Sequence, residues 1–281
     1  MRRILIEVAY DGTNYAGWQI QKNGITIEQV LNETLTSFFQ EEVRVIGASR
    51  TDAGVHALSA MAVFDTDSTM PDHKFAYALN RYLPDDIVIQ ASCEVPADFH
   101  PRYAKSEKTY EYRILNRQMR IPTMRYDTFF YYRPLDVGAM RAAASCLVGE
   151  HDFASFASPH FSSKTSVRTL YECSVERDRD LITIRVRGNG FLYNMVRIIA
   201  GTLIQVGEGK IAPEEMYGIL MAKDRDAAGP TAPARGLTLV DTTYPQLPQI
   251  LEKMAQEKLK AGGTDGKSED FFEKDVAFLS D

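Results

Sequence analysis

The first half of the chain alternates strand-like and helix-like patterns. Residues 3–9 alternate apolar and polar side chains, which is the period-two pattern of a strand. Thr26 and Gln29 form a capping box that opens a helix with apolar residues at helical spacing. Further strands are predicted over 43–48, 57–65 and 86–93, and a second helix over 71–82. The order strand, helix, strand, strand, helix, strand predicts a ferredoxin-like (split βαβ) unit.

The second half roughly repeats this order. The patterns predict strands over 110–115, 168–176, 181–187 and 236–241, and helices over 137–148, 191–206 and 213–221. On the helix over 191–206, one face is apolar, while Asn194, Arg197 and Gly201 share the opposite face. An Arg between an Asn and a Gly indicates a face that packs closely against a second surface and needs a carboxylate partner. An ordinary solvated Arg is the alternative.

These patterns predict an α+β protein of two ferredoxin-like halves with antiparallel sheets. We place the halves at residues 1–101 and 102–245. Residues 246–281 carry five Lys and eight acidic residues, which indicates a polar tail with a possible helix followed by a flexible, acidic end.

Composition narrows the class of protein. With 44% hydrophobic residues the 281-residue chain can build real cores, and no apolar run approaches the length of a membrane span. The three cysteines, Cys93, Cys146 and Cys173, are too far apart for a zinc motif or a disulfide framework. Glu7 comes too early for a signal peptide. We therefore expect a cytoplasmic protein with no membrane partner.

Charge is unevenly distributed along the chain. The net charge is −6, yet residues 102–133 hold eight Lys or Arg, three acidic residues and eight aromatic residues. Cations interleaved with aromatic rings suit RNA, because they supply phosphate contacts and base stacking. A pair of strands with solvated Arg and buried Tyr is the alternative.

The loop between two apolar segments at 48–57 concentrates candidate chemistry. It contains Arg50, Thr51, Asp52 and His56, with small residues around the Asp. A hairpin turn in which Asp52 bonds its own backbone is the plain alternative. Phosphate-binding, dinucleotide-binding and serine-hydrolase motifs are absent from the sequence, and the five histidines lack metal-ligand spacing. A strand also separates Asp52 from Asp65 and Asp67, which is too far to share an ion.

Five ordered motifs carry a specific resemblance. They are AYDGTNYAGWQ at 9–19, RTDAGVHA at 50–57, KTYEYRI at 108–114, GNGFLYNMVR at 188–197 and APARGL at 232–237. In this order and spacing the chain resembles the tRNA pseudouridine synthase A family from residue 3 to about 245. Ser49 departs from the pattern, since the family usually has Gly before the Arg-Thr-Asp.

The resemblance implies an isomerase, an intramolecular transferase that converts uridines at positions 38, 39 and 40 of the tRNA anticodon stem-loop to pseudouridine. The two halves would then form one pseudouridine synthase catalytic unit. The implied partners are the tRNA anticodon arm and a second copy of the chain in a homodimer. No cofactor and no metal is implied.

The resemblance also implies residue roles. Asp52 is the nucleophile, Arg197 its ion-pair partner, and Tyr110 stacks on the base and acts as general base. Arg50, Thr51 and Leu237 are the further substrate-binding candidates. Two alternatives stay open: a pseudouridine synthase for other RNA positions, and a non-catalytic RNA-binding protein.

Overall fold

The structure, a computed structural model, describes residues 1–159 and 164–262. The strands are β1 Arg2–Tyr10, β2 Ile46–Gly47, β3 His56–Thr66, β4 Ile87–Val95, β5 Glu107–Asn116, β6 Phe129–Tyr131, β7 Gly149–Asp152, β8 Val167–Asp178, β9 Leu181–Gly188 and β10 Leu237–Thr243. The helices are α1 Ile27–Phe39, α2 Lys74–Leu79, α3 Val137–Ser145, α4 Met195–Gly207, α5 Glu215–Ala222 and α6 Pro248–Gly262. The α+β class is confirmed.

The strands join in one continuous sheet with the order β4-β1-β3-β10-β5-β9-β8-β7. β2 pairs with β3 off this path, and β6 pairs with β5. Each half is antiparallel in its main path and shows the 4-1-3-2 strand order of a ferredoxin-like unit, as β4-β1-β3-β2 and as β10-β5-β9-β8. The two halves meet where β10 runs parallel to β3, with Thr238 opposite His56.

One face of the sheet carries the main core. Alternate residues of the strands, such as Ile6 and Ile184, pack with α1 to α5 in a single apolar cluster that crosses the junction of the halves. Both halves lay their helices on this face, and the β3/β10 junction lies between them. The catalytic candidates of both halves are carried on this side.

Several elements differ from the sequence pattern: the helix predicted over 71–82 shortens to Lys74–Leu79, and β6 and β7 were not predicted. The strand predicted over 43–48 shortens to Ile46–Gly47, because Val43 and Val45 bond to α1 side chains instead of a neighbouring strand. The helix predicted from Phe191 begins at Met195, because Asn194 adopts a left-handed conformation (φ 61°) that interrupts the helix. The predicted apolar face of α4 is buried as expected.

The predicted tail helix exists as α6, and it packs against the outer face of the sheet. Met254 of this helix is buried in a second apolar cluster with Leu5, Met61 and Cys93. Lys258 forms an ion pair of 2.7 Å with Glu7, a buried residue of β1, and Lys253 one of 2.6 Å with Asp72. The segment predicted to be flexible lies outside the described residues from 263 onward.

Truncating one buried side chain of α6 tests how firmly this helix is held. Met254→Ala should lower the free energy of unfolding by about 2–4 kcal/mol, because it leaves a cavity in the second cluster. Leu259→Ala on the same helix is the matched control; Leu259 is 76% exposed, and its change should stay within about 0.5 kcal/mol. Urea denaturation measures both. Equal stabilities of the two variants would contradict a packed α6.

Candidate active site

The Asp52 loop is fixed by the segment that follows β1. The Trp18 amide donates to the Thr51 carbonyl (3.1 Å), and the Gly54 amide donates to the Tyr15 carbonyl (3.2 Å). Gly17 lies so close that a Cβ there would be 2.5 Å from the Thr51 carbonyl oxygen, and its φ of +92° also favours glycine. Two of the sequence motifs, 9–19 and 50–57, thus form one packed unit.

Side chains complete this anchoring. The hydroxyl groups of Thr51 and Tyr10 are hydrogen-bonded at 2.7 Å, and both residues are buried. Thr51 therefore holds the backbone beside Asp52 in place. The backbone of Ser49 does not adopt a positive φ. A Ser at the position where the family usually has Gly therefore introduces no backbone strain.

Arg197 of α4 reaches the loop from the opposite half of the molecule. Its Nη1 donates to Oδ2 of Asp52 (3.1 Å) and to Oδ1 of Asn194 (2.8 Å), and its Nε donates to the Ala232 carbonyl (2.8 Å). Both side chains of the ion pair are about a fifth exposed, at 18% for Arg197 and 20% for Asp52. The guanidinium is thus directed at Asp52 by two further acceptors.

The contacts of α4 explain the unusual residues on this face. Gly201 faces the Pro230 carbonyl so closely that no Cβ fits between them. The Ala232 amide donates to the Arg197 carbonyl (3.0 Å), so the 230–236 segment lies along α4. The Asn194 amide also donates to Ser158 Oγ (2.8 Å), which fixes the acceptor that Arg197 uses.

Burial dominates the electrostatics of Asp52. Loss of water raises the pKa of its carboxyl above the ordinary value, and the Arg197 charge and hydrogen bond oppose this increase without cancelling it. The carboxylate is therefore less solvated than an exposed Asp and depends on Arg197 to stay ionised. A poorly solvated anion is a stronger nucleophile than a fully hydrated one.

Tyr110 of β5 is buried on the same side of the sheet. Burial raises the pKa of its phenol well above the ordinary range, and the nearby charges of Tyr10 and Asp52 add to the increase. Its ring packs edge-on against Phe191, with centroids 5.1 Å apart. The phenol is thus protonated at neutral pH.

The remaining candidates lie at different depths. Leu237 is buried at the start of β10, next to the Thr238–His56 pair that follows the Asp52 loop. Arg50 is exposed on the loop. Asp52 and Arg197 are thus in direct contact, and Tyr110 is close enough for the Asp52 charge to act on its phenol.

Some supporting residues were not singled out from the sequence as site residues. Tyr10 and Ala232 belong to the quoted motifs, yet their contacts with Thr51 and Arg197 cannot be read from spacing. His56 lies away from the ion pair, with its Nδ1 3.1 Å from Asp11 and accepting from the Gly12 amide (3.2 Å). These contacts engage only Nδ1, and Nε2 of His56 is buried without a hydrogen-bond partner in the described chain.

A carboxylate of one ferredoxin-like half held by an arginine of the other, with a buried tyrosine on the same side of the sheet, fits the class of isomerase that the sequence motifs indicate. That class is the pseudouridine synthases.

Comparison with known proteins identifies the family. A family model described as tRNA pseudouridine synthase matches residues 6–104 and 143–245. The chain is 49% identical to tRNA pseudouridine synthase A of Thermoanaerobacter sp. (strain X514) and 47% identical to that of Geotalea uraniireducens (strain Rf4), each over 244 residues. Each match covers 87% of this chain and 100% of the relative. The chain therefore belongs to the tRNA pseudouridine synthase family, and it is an isomerase.

Proposed function

We propose that this protein converts uridine to pseudouridine in tRNA, at positions 38, 39 and 40 of the anticodon stem-loop. The observation that carries the proposal is the 3.1 Å contact between Arg197 and the poorly solvated Asp52. The contact lies inside a family match that spans both halves of the chain. A turn residue would need no such partner from another element.

Asp52 is proposed as the nucleophile. Its carboxylate attacks either the sugar C1′ or the uracil ring, and the N1–C1′ glycosidic bond breaks. After the base rotates, C5 bonds to C1′, the C5 proton leaves, N1 gains a proton and the carboxylate is released. The product is an isomer of the substrate, so the balance requires no oxidant, reductant or other co-reactant.

Tyr110 is proposed to stack on the uracil ring. Because burial raises the pKa of its phenol, the group is not a free base at neutral pH. Removal of the C5 proton by Tyr110 then requires that its own proton pass to another acceptor in the same step. This favours stacking as its main contribution, with Leu237 packing on the ring from below.

The target uridine must leave its stack to reach Asp52, at a cost of a few kcal/mol. Arg50 is exposed on the loop that carries Asp52. We propose that its side chain occupies the space that the flipped nucleotide vacates. Thr51 is proposed to act on the substrate only through the loop, since its hydroxyl is bonded to Tyr10.

The direct test is an unmodified tRNA transcript with uridines at positions 38–40, incubated with the protein and EDTA and without any cofactor. We expect pseudouridine at those positions, detected by carbodiimide modification and primer extension. A matched transcript with cytidines at 38–40 should give none. Conversion elsewhere would favour a synthase for other RNA positions, and binding without conversion would favour a non-catalytic RNA-binding protein.

A homodimer and a cytoplasmic location are also proposed. The outer face of the sheet beyond α6 has an open groove of about 630 Å³ that includes Leu58, which is 59% exposed, and Val88. We assign this groove to a second copy, and a monomeric mass in light scattering would contradict the assignment.

The three cysteines are unpaired, as expected in a reducing compartment, which cell fractionation would test. None of the described helices could cross a membrane.

A further inference from the structure

Lys108 is a largely buried lysine on β5. Its side chain lies on the face of the sheet that carries the candidate active site, which we call the site face. Lys108 pairs with Gly188 of β9 in an unbroken register, so strand alternation places its side chain on the face of Tyr110, two residues further on. Residues two apart on a strand are about 7 Å apart. The Cα atoms of Lys108 and Tyr110 are therefore about 7 Å apart, and Tyr110 carries the ring on which the uracil is proposed to stack.

Lys108 has no carboxylate within ion-pair distance among residues 1–159 and 164–262. Its Nζ donates a hydrogen bond to Ser106 Oγ (3.3 Å). Cations on the opposite face of the same strands are matched with carboxylates. These pairs are Arg113 with Asp127, Arg185 with Glu111, and Arg187 with Glu107. The contrast shows that the lack of a partner is specific to the site face.

A second cation adds to this positive potential. Arg102 lies close enough to lower the pKa of Lys108, which falls to about 8, mainly because of burial. The Arg102 guanidinium donates to the Gly47 carbonyl (3.4 Å), at the strand that leads into the Asp52 loop. A buried cation without a counter-charge is unfavourable, and an anionic ligand removes the penalty.

The other groups around Lys108 do not titrate with it. Its register neighbours, Gly188 on β9 and Thr242 on β10, carry no charge. Tyr110 on the same face stays protonated because it is buried, and Asp52 is engaged by Arg197. Within the described chain, the Arg102 charge lowers the pKa of Lys108 further.

We propose that Lys108 and Arg102 form a subsite for one phosphate of the RNA backbone, next to the flipped nucleotide. The subsite rests on the proposed function, because an RNA substrate supplies the anion. The separation of Lys108 from Tyr110 is comparable to the distance between the base and the phosphate of a single nucleotide. The phosphate would supply the counter-charge that the protein lacks at this position.

The test compares Lys108→Met with Lys108→Arg in tRNA filter binding across a salt series. Lys108→Met should weaken binding about tenfold, and the slope of log affinity against log salt should become less steep by about 0.7–0.9. Lys108→Arg should restore the wild-type slope, since it keeps the charge. The charge-matched control is Lys210→Met, past the far end of α4 and paired with Glu208, which should bind within twofold of the wild type.

A pH series adds a signature that a merely structural lysine would not give. In the wild type, affinity should fall as the pH rises through about 8, because Lys108 loses its proton there. Lys108→Arg should remove this fall, since its guanidinium stays protonated. Lys108→Met should bind weakly with no such dependence.

Two results would overturn the subsite: affinity and salt slope of Lys108→Met equal to those of the Lys210→Met control, or an unchanged pH dependence in Lys108→Arg. Because Lys108→Arg keeps the charge and folds without a new buried polar group, the pH series stands even if Lys108→Met is unstable. Failure of the proposed function would look different. Wild-type protein would bind tRNA but form no pseudouridine, whatever Lys108 variants do.

Discussion

Asp52→Asn should reduce pseudouridine formation by about 10⁴-fold or more, because the amide is not a nucleophile. Binding of tRNA should stay within a few-fold of the wild type. Asn keeps an oxygen that accepts the hydrogen bond of Arg197, so the loop should hold its position. Single-turnover assays on the tRNA transcript measure the rate, and filter binding measures the affinity.

Stability provides the control for Asp52→Asn. The pKa of Asp52 is higher in the folded chain than its ordinary value, so the charged form weakens folding as the pH rises through this interval. Removing the charge should therefore leave the melting temperature at neutral pH unchanged or slightly higher. A retained rate above a tenth of the wild type would exclude Asp52 as nucleophile, whereas a large drop in melting temperature would mean that the loss reflects misfolding.

Arg197→Met should lower the rate about 10²–10³-fold, because truncating one partner of a largely buried ion pair leaves the other without its counter-charge. The same change removes the hydrogen bonds to Asn194 and Ala232 that direct the guanidinium. Arg141→Met is a matched control, since within the described chain the Arg141 side chain bonds only to the backbone carbonyl of Val175 (3.1 Å). Its activity should match the wild type.

The pH profile separates the electrostatic role of Arg197 from a packing role. Activity requires ionised Asp52 and so declines as the pH falls through its raised pKa. Arg197 opposes this increase, and without it the pKa of Asp52 rises further. The acid limb of Arg197→Met should therefore lie at higher pH, and part of its activity should return on the alkaline side. An unshifted limb would leave only a packing role for Arg197.

The packing of α6 on the sheet could not be predicted from the composition of its own segment. Residues 246–281 read as a polar tail because their net charge is negative and their apolar residues are sparse. Yet the Met254 side chain is buried, and Lys258 forms an ion pair with Glu7 of β1. The relatives are covered in full by 244 residues of this chain, and the family match ends at residue 245. The helix is therefore an addition that uses a surface whose exposure the sequence does not reveal.

By itself, the sequence determined the ferredoxin-like order of elements, because hydrophobic periodicity reports which face of each strand or helix is buried. Five motifs also identified the family and selected Asp52, Tyr110 and Arg197 as candidates. Arg197 could be predicted to need a carboxylate, because an Asn and a Gly beside it are unusual on an exposed helix.

Only the tertiary structure decided which groups meet. The parallel pairing of β3 with β10 brings Asp52 and Arg197, 145 residues apart in sequence, to 3.1 Å. Within the described chain, Lys108 has no carboxylate at ion-pair distance, whereas cations on the opposite face are paired. Such facts depend on contacts across the sheet and on exclusion of water, neither of which a local pattern encodes. The Asp52 loop was thus recognisable as a candidate from its residues, but its raised pKa follows from the halves that close around it.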